Sequence, residues 1–312
     1  MKKAMHAENM ISDIVENQIK EEVAKEFGNF TNDSAMMIAY ERGLETKRGP
    51  ENALFQDPFA RYLQGPKGEQ LSKEFGSNAS AIFGFPGWEE FHVTWTAVRT
   101  KFIDDRIKEN IRKGGVEIKQ LVNLGAGLDT RAHRLEFYKS FKNVLDVDME
   151  QINEMKSKLF DVLKENGQMG KAYSTNLENV SMDFLNENKL LLQELTRTNF
   201  SSKEPTIFVA EGLIMYLGEG KSRFLKAVSG CAASGSVLIL NFIEHPNEDE
   251  GRQMDPTYMS LKDTKDVLIK EGWDETSFQV NRFGDGVLNY GRFPNNRFEK
   301  STYFSFLVCK KK

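Results

Sequence analysis

The sequence predicts an α/β protein, with a mainly parallel sheet, an antiparallel C-terminal strand and an N-terminal helical cap. Three observations carry this. Short apolar runs alternate with helical stretches from about residue 115 onward. One of those runs passes directly into a pair of glycines. The residues before it read as successive helices.

In chain order, residues 10–27 place Met10, Ile11, Ile14, Val15, Ile19 and Val23 at mostly helical spacing, an amphipathic helix. SAMMIAYERGLETKR (34–48) is a second helix, broken by RGPEN. Asp57-Pro58 in LFQDPFARYL is a turn or helix start, because proline suits a first helical turn. FGSNASAIFGFPGWEE (75–90) reads as irregular. A long helix follows from about Phe91 to Lys113, closed by Gly114-Gly115. The predicted strands are QLVNL (120–124), NVLDV (143–147), TIFVA (206–210), SVLILNFI (236–243) and YFSFLV (303–308). Helical stretches at 149–165, 187–196, 218–232 and 259–271 separate most of them, which implies right-handed parallel crossovers. TSFQV (276–280) is placed to pair antiparallel with the last strand. The expected division is a cap over 1–114 and one compact sheet domain over 115–312.

Composition narrows the classes. A chain of 312 residues with 39% hydrophobic and 28% charged residues is globular rather than disordered. The net charge is -4 with signs interspersed, which argues against a nucleic-acid partner. No run reaches the length of a membrane-spanning helix, and acidic residues interrupt the N-terminus where a signal peptide would be apolar. Cys231 and Cys309 lie far apart, with neither a disulfide framework nor a metal spacing, as in a cytoplasmic protein with reduced thiols.

VNLGAGLDTRAHRL (122–135) is the strongest local feature. A strand runs into Gly125-Ala126-Gly127, where glycines let the backbone turn sharply and a ligand approach. About twenty residues on, the next strand ends in Asp146-Val147-Asp148, where a carboxylate can accept from ribose hydroxyls. Asp148 lies nearer the strand's end, so it is the one expected to face a ligand. Together these features indicate a nucleoside cofactor on a Rossmann-like sheet. A dinucleotide fingerprint would place a third glycine where Thr130 stands, which argues against a nicotinamide cofactor and a dehydrogenase. Asp129 beside the turn suits a ligand bearing an ammonium and a sulfonium better than a pyrophosphate.

These blocks, with VRTKFIDDRI (98–107), AEGLIMYL (210–217), SAMMIAYERGLE and LFQDPFARYL, resemble the leucine carboxyl methyltransferase family. The similarity runs from about residue 32 to the C-terminus. It implies a class I methyltransferase sheet and S-adenosyl-L-methionine as cofactor. It implies that Arg99 pairs with the methionine carboxylate, a task that suits a guanidinium fork. It further implies that Gly125, Ala126, Gly127 and Asp129 underlie the cofactor, that Asp148 and Met149 meet the ribose, that Asp183 and Phe184 flank the adenine, and that Glu211 and Gly212 lie near the ammonium. Phosphatase methyltransferases of the family use an early lysine where Ile38 stands here, with Arg42 a turn further on; this favours the small-molecule branch.

Each residue also has a plainer reading. Arg99 could be a solvated helix charge, Asp183 a helix cap, and His133 a packed histidine. Phe83, Phe85, Trp88, Phe91, His92 and Trp95 either wall an acceptor pocket or join the cap to the sheet. The loop at 283–298 is a further candidate border. On the acceptor side the candidates are His92, Tyr216 and His245, and no Ser-His-Asp set is visible. The resulting expectation is methyl transfer to a carboxylate or hydroxyl of a small molecule, with no metal. A protein C-terminal leucine and a non-catalytic cofactor-binding protein are the alternatives.

Overall fold

The computed structural model describes residues 17–22, 33–83, 87–113, 116–245, 247–282, 290–292 and 303–312. By internal contacts the chain forms two compact units. The first comprises Met1–Ala97, Gly127–Arg134 and Glu154–Lys171; the second comprises Val98–Ala126, Leu135–Asn153 and Ala172–Lys312. This differs from the expected boundary at residue 114: residues 98–114 belong with the sheet, and two later pieces belong with the N-terminal helices.

The first unit is helical. It contains α1 (Asp33–Thr46), α2 (Ala60–Leu63), α3 (Gly68–Phe83), the first part of α4 (Trp88–Asn110), α5 (Arg131–Arg134) and most of α6 (Glu150–Glu165). Met36 and Ala39 share one face of α1 and pack with Phe59, Leu63, Leu128, Leu159 and Leu163. Residues 17–22 are helical and Ile19 joins this core; the rest of the amphipathic stretch at 10–27 lies outside the described residues. Asp57 opens the turn before α2, as its proline neighbour suggested: its Oδ1 accepts from the Phe59 and Ala60 N–H groups, both at 3.2 Å.

Helix α3 corrects the irregular reading over residues 75–83, and α4 begins at Trp88; residues 84–86 lie outside the described residues. The internal Gly76 of α3 looks like a breaker in sequence, but it is a packing residue. A Cβ there would stand 2.6 Å from the Cβ of Glu89 on α4, so only glycine permits that approach. Helix α4 ends at Asn110, short of the expected Lys113, and a small hairpin of β1 (Arg112–Lys113) with β2 (Val116–Glu117) follows.

The second unit is built on a seven-stranded sheet: β3 (Gln120–Leu124), β4 (Asn143–Asp148), β5 (Asn176–Ser181), β6 (Thr206–Ala210), β7 (Val237–Glu244), β8 (Gln279–Arg282) and β9 (Tyr303–Lys310). The order is β5-β4-β3-β6-β7-β9-β8, with β9 antiparallel to both β7 and β8 and the other pairings parallel. The expected pairing of the 276–280 region with the last strand is present, begun at Gln279. β3 and β6 are buried along their whole length. Parallel strands covered on both faces read as continuous apolar runs, which is why they were visible in sequence. Each fully buried Leu, Val or Ile there contributes about 1.5–3 kcal/mol.

β5 was not anticipated. It is an edge strand with mostly half-exposed residues, so NLENVS carries no apolar run. On the sheet's connections, α7 (Leu191–Leu195) is shorter than the expected 187–196, while α8 (Lys221–Cys231) follows expectation. The polar α9 (Glu248–Met254) was not foreseen. α10 (Leu261–Lys270) starts on a capping box in which Ser260 and Asp263 satisfy each other's backbone N–H groups. No described helix is long and apolar enough to cross a membrane.

Candidate cofactor-binding site

The chain builds the sheet outward from β3 in both directions, through β4 to β5 and then through β6 to β7. The switch point therefore lies where β3 and β6 are neighbours. Ligands of open α/β sheets bind beyond the carboxyl ends of the strands at such a point. Gly125 ends β3 there with φ +68°, and its N–H donates to the Val147 carbonyl at 2.8 Å. A Cβ at Gly125 would meet Leu213 Cδ1 at 3.0 Å, so this turn needs glycine on two grounds. The buried Ala126 donates to the same carbonyl at 3.2 Å.

At the end of β4 the two aspartates separate by role. Asp146 is buried and accepts from Asn123 Nδ2 at 3.2 Å, whereas Asp148 is half-buried at the strand end. Its Oδ1 accepts from the Met149 N–H at 2.7 Å. After β5, Asp183 is exposed and accepts from the Leu185 N–H at 2.9 Å, forming a turn well before α7 begins. Phe184 stands edge-on to Phe224, centroids 5.3 Å apart.

Beyond β6, Arg99 Nε donates to Glu211 Oε1 at 2.7 Å, with both side chains largely withdrawn from solvent. The plain reading of Arg99 as a solvated helix charge is thereby excluded. The next residue, Gly212, has φ +65°, and its N–H donates to Asn241 Oδ1 at 2.7 Å. Asn241 is fully buried on β7, and its Nδ2 has no hydrogen-bond partner among the described residues. Sequence reasoning passed over it, although it is the one polar residue inside the run VLILNFI.

In the first unit, residues 127–134 are tied down by a buried polar knot. Arg42 donates from Nε to Asp57 Oδ2 and from a terminal nitrogen to the Leu128 carbonyl, each at 2.8 Å. Thr130 Oγ1 donates to the same Asp57 oxygen at 2.8 Å. Thr130 is thus more than a missing glycine: its hydroxyl anchors the segment. Gly127 has φ +48°. Asp129 accepts from the Arg131 N–H at 2.6 Å and forms an ion pair with its guanidinium. Burial alone would raise the Asp129 carboxyl, but Arg131, Lys156 and Arg134 hold it well below the usual carboxylate range.

The acceptor-side candidates separate. His92 is buried against Glu41. His245 packs edge-on to Tyr258, whose hydroxyl accepts its backbone N–H at 3.0 Å, so packing accounts for it. Tyr216 is exposed. His133 is packed, between the rings of Phe59 and Phe160. Phe91 and Trp95 are core residues; Phe85 and most of 283–298 lie outside the described residues. Among the described residues, no group of His, Cys, Asp and Glu is arranged to hold a metal.

The sheet order suits a nucleotide-binding α/β enzyme, and comparison with known proteins makes the chain an S-adenosyl-L-methionine-dependent methyltransferase. The sequence model of the leucine carboxyl methyltransferase family matches residues 35–228, and the chain belongs to that family. A protein of Mycolicibacterium vanbaalenii, provisionally named an S-adenosyl-L-methionine-dependent methyltransferase, is 27% identical over 253 residues, 77% of this chain and 76% of its own. A Streptomyces coelicolor protein with the same provisional name is 29% identical over 213 residues, 66% of this chain and 63% of its own. The fold is shared with a DUF574 family protein from Streptomyces avermitilis, at a TM-score of 0.54 and 14% identity over 89% of this chain and 97% of that one.

Proposed function

We propose that the enzyme transfers the methyl group of S-adenosylmethionine to an oxygen, carboxylate or hydroxyl, of a small-molecule metabolite. The observation that carries this is the Arg99–Glu211 pair. An amino acid moiety presents a carboxylate and an ammonium together, and this pair offers a guanidinium for one and a carboxylate for the other. The residues fit the cofactor. Asp148 with Met149 is placed for the ribose, Asp183 with Phe184 for the adenine, and Glu211 with Gly212 for the methionine end. The Gly125-Ala126-Gly127 turn and Asp129 underlie it. When bound, the cofactor supplies an activated methyl on sulfur; the protein contributes position and electrostatics. Holding the acceptor oxygen against that carbon is worth up to about 7–11 kcal/mol. The resemblance to the small-molecule branch supports a metabolite over a protein terminus. The buried free thiols of Cys231 and Cys309 suit a cytoplasmic enzyme.

Calorimetry tests the reading. S-adenosylmethionine and S-adenosylhomocysteine should bind saturably to wild type and much more weakly to Asp148→Ala, while NADH should not bind. NADH binding, or no binding of either adenosyl compound, refutes it. Binding without methyl transfer to any acceptor leaves a cofactor-binding protein without catalysis.

A further inference from the structure

We infer that Asn241 is a positioning residue for cofactor recognition: it sets the turn at Gly212 that holds Glu211 against Arg99, and so confers selectivity for ligands that carry an amino acid end. This rests on the reading of the Arg99–Glu211 pair given above and deepens it.

All the residues concerned belong to the second unit. β6 and β7 run in parallel register up to the Ala210–Leu240 pair. There β6 ends, while β7 continues to Glu244 against β9. Asn241 is the first residue of that continuation. Side chains alternate along a strand. Leu238, Leu240 and Phe242 enter the apolar core on one face, so Asn241 lies on the other. Its register partner on β9, Phe306, stacks on Phe102 of α4, centroids 4.1 Å apart. Phe102 follows Arg99 by about one helical turn. Asn241 therefore stands on the face of the sheet that this part of α4 covers.

Three consecutive residues after β6 are each fixed by a different neighbour. Glu211 accepts from Arg99 Nε at 2.7 Å. The Gly212 N–H donates to Asn241 Oδ1 at 2.7 Å. Leu213 packs so close to Gly125 that a Cβ there would meet it at 3.0 Å. Gly212 has φ +65°, a conformation in which other residues are strained. A Cβ on Gly212 would lie 3.7 Å from Arg99 Nη1, so the guanidinium borders the same turn.

The chemistry of the amide shows what Asn241 is for. A backbone N–H can only donate, so Oδ1 faces Gly212 and Nδ2 faces away from it. Nδ2 is buried and finds no acceptor among the described residues, which costs stability. Leucine has nearly the same branched shape, suits the run VLILNFI and brings no unpaired donor. Stability alone therefore favours leucine at this position. What asparagine adds is one acceptor, and that acceptor serves the Gly212 turn. A carboxylate and an ammonium on one ligand are recognised together only when the guanidinium and carboxylate that meet them keep a fixed spacing. The Asn241–Gly212 bond holds one side of that spacing.

The test compares S-adenosylhomocysteine with methylthioadenosine, which shares the nucleoside and the sulfur but lacks the carboxylate and the ammonium. By calorimetry, wild type should prefer S-adenosylhomocysteine clearly. Asn241→Leu should weaken S-adenosylhomocysteine about tenfold and leave methylthioadenosine within about twofold, with the urea unfolding midpoint unchanged or raised. Asn241→Ser, whose hydroxyl sits one bond nearer the backbone, should show the same split between ligands. In a Glu211→Gln background, Asn241→Leu should add little, because residues that act as one unit are not additive. Equal losses for both ligands, S-adenosylhomocysteine affinity within about twofold of wild type in both variants, full additivity with Glu211→Gln, or failure of both variants to fold overturns the inference. If Arg99→Ala abolishes the preference while Asn241→Leu keeps it, this inference alone falls. A wild type that binds S-adenosylhomocysteine no better than methylthioadenosine refutes the reading of the Arg99–Glu211 pair itself, and this inference with it.

Discussion

Glu41 in the first unit and Glu211 in the second are both withdrawn from solvent, but their cationic partners differ in kind. Glu211 faces a guanidinium, which stays charged throughout the range in which proteins fold. Glu41 faces an imidazole, whose Nδ1 lies 2.9 Å from its Oε1. The Glu211 pair follows the end of β6 and offers a cation and a carboxylate side by side. The Glu41 pair is tied to Ser72 and Thr96 as well, and so joins three helices of one unit. One chain thus carries both solutions to the burial of a carboxylate, and the partner decides what each is for. The Arg42–Asp57 pair is a third case: fixed like the second, but committed to holding residues 127–134.

Four outcomes would sharpen or break this comparison. The largest concerns the committed pair. Asp57→Ala leaves Arg42 buried without its carboxylate, and should lower unfolding free energy by about 3–5 kcal/mol; a urea titration showing under 1 kcal/mol would remove the pair from the architecture. Next, Arg99→Ala should weaken S-adenosylhomocysteine binding by about 2–5 kcal/mol. A loss under about 1 kcal/mol by calorimetry would separate the guanidinium from cofactor recognition. Third, Gly76→Ala should destabilise by about 1–3 kcal/mol through overpacking against Glu89. An ordinary exposed helical glycine would give the opposite sign, so thermal melting distinguishes the two.

The smallest effect is one of pH. Burial pulls the Glu41 carboxyl up, but His92 and the hydrogen bonds from His92, Thr96 and Ser72 outweigh it and hold it below its ordinary value. A depressed folded value means stability that is fully present above the unfolded glutamate pKa, about 4.3, and lost as pH falls through the folded one. Below about pH 4, wild type should therefore lose stability more steeply than Glu41→Gln in denaturant titrations. Parallel acid limbs would show that Glu41 is neutral in the folded protein.

The sheet was legible because its central strands, QLVNL, NVLDV, TIFVA and SVLILNFI, are buried on both faces and announce themselves as apolar runs. Gly125 and Asp148 were legible because a turn and a strand end restrict residue type. What escaped depends on partners distant in sequence. Gly76 looks like a helix breaker until Glu89 is seen against it. Glu41 looks like one more helix charge until Ser72, His92 and Thr96 arrive, up to 55 positions away. β5 and α9 are polar elements with no periodicity to betray them.

The position of β9 has a consequence for biosynthesis. This strand, Tyr303–Lys310, is hydrogen-bonded on both sides, to β7 and to β8. During synthesis β7 and β8 emerge first, and within this sheet β8 has no other partner. Until residues 303–310 leave the ribosome, β7 presents an apolar, unpaired edge. Exposed edges of that kind invite association with other chains, and N-terminal regions fold first during translation. The nascent protein therefore passes through a stage in which a chaperone has an edge to shield, and a pause in translation shortly before residue 303 would prolong it.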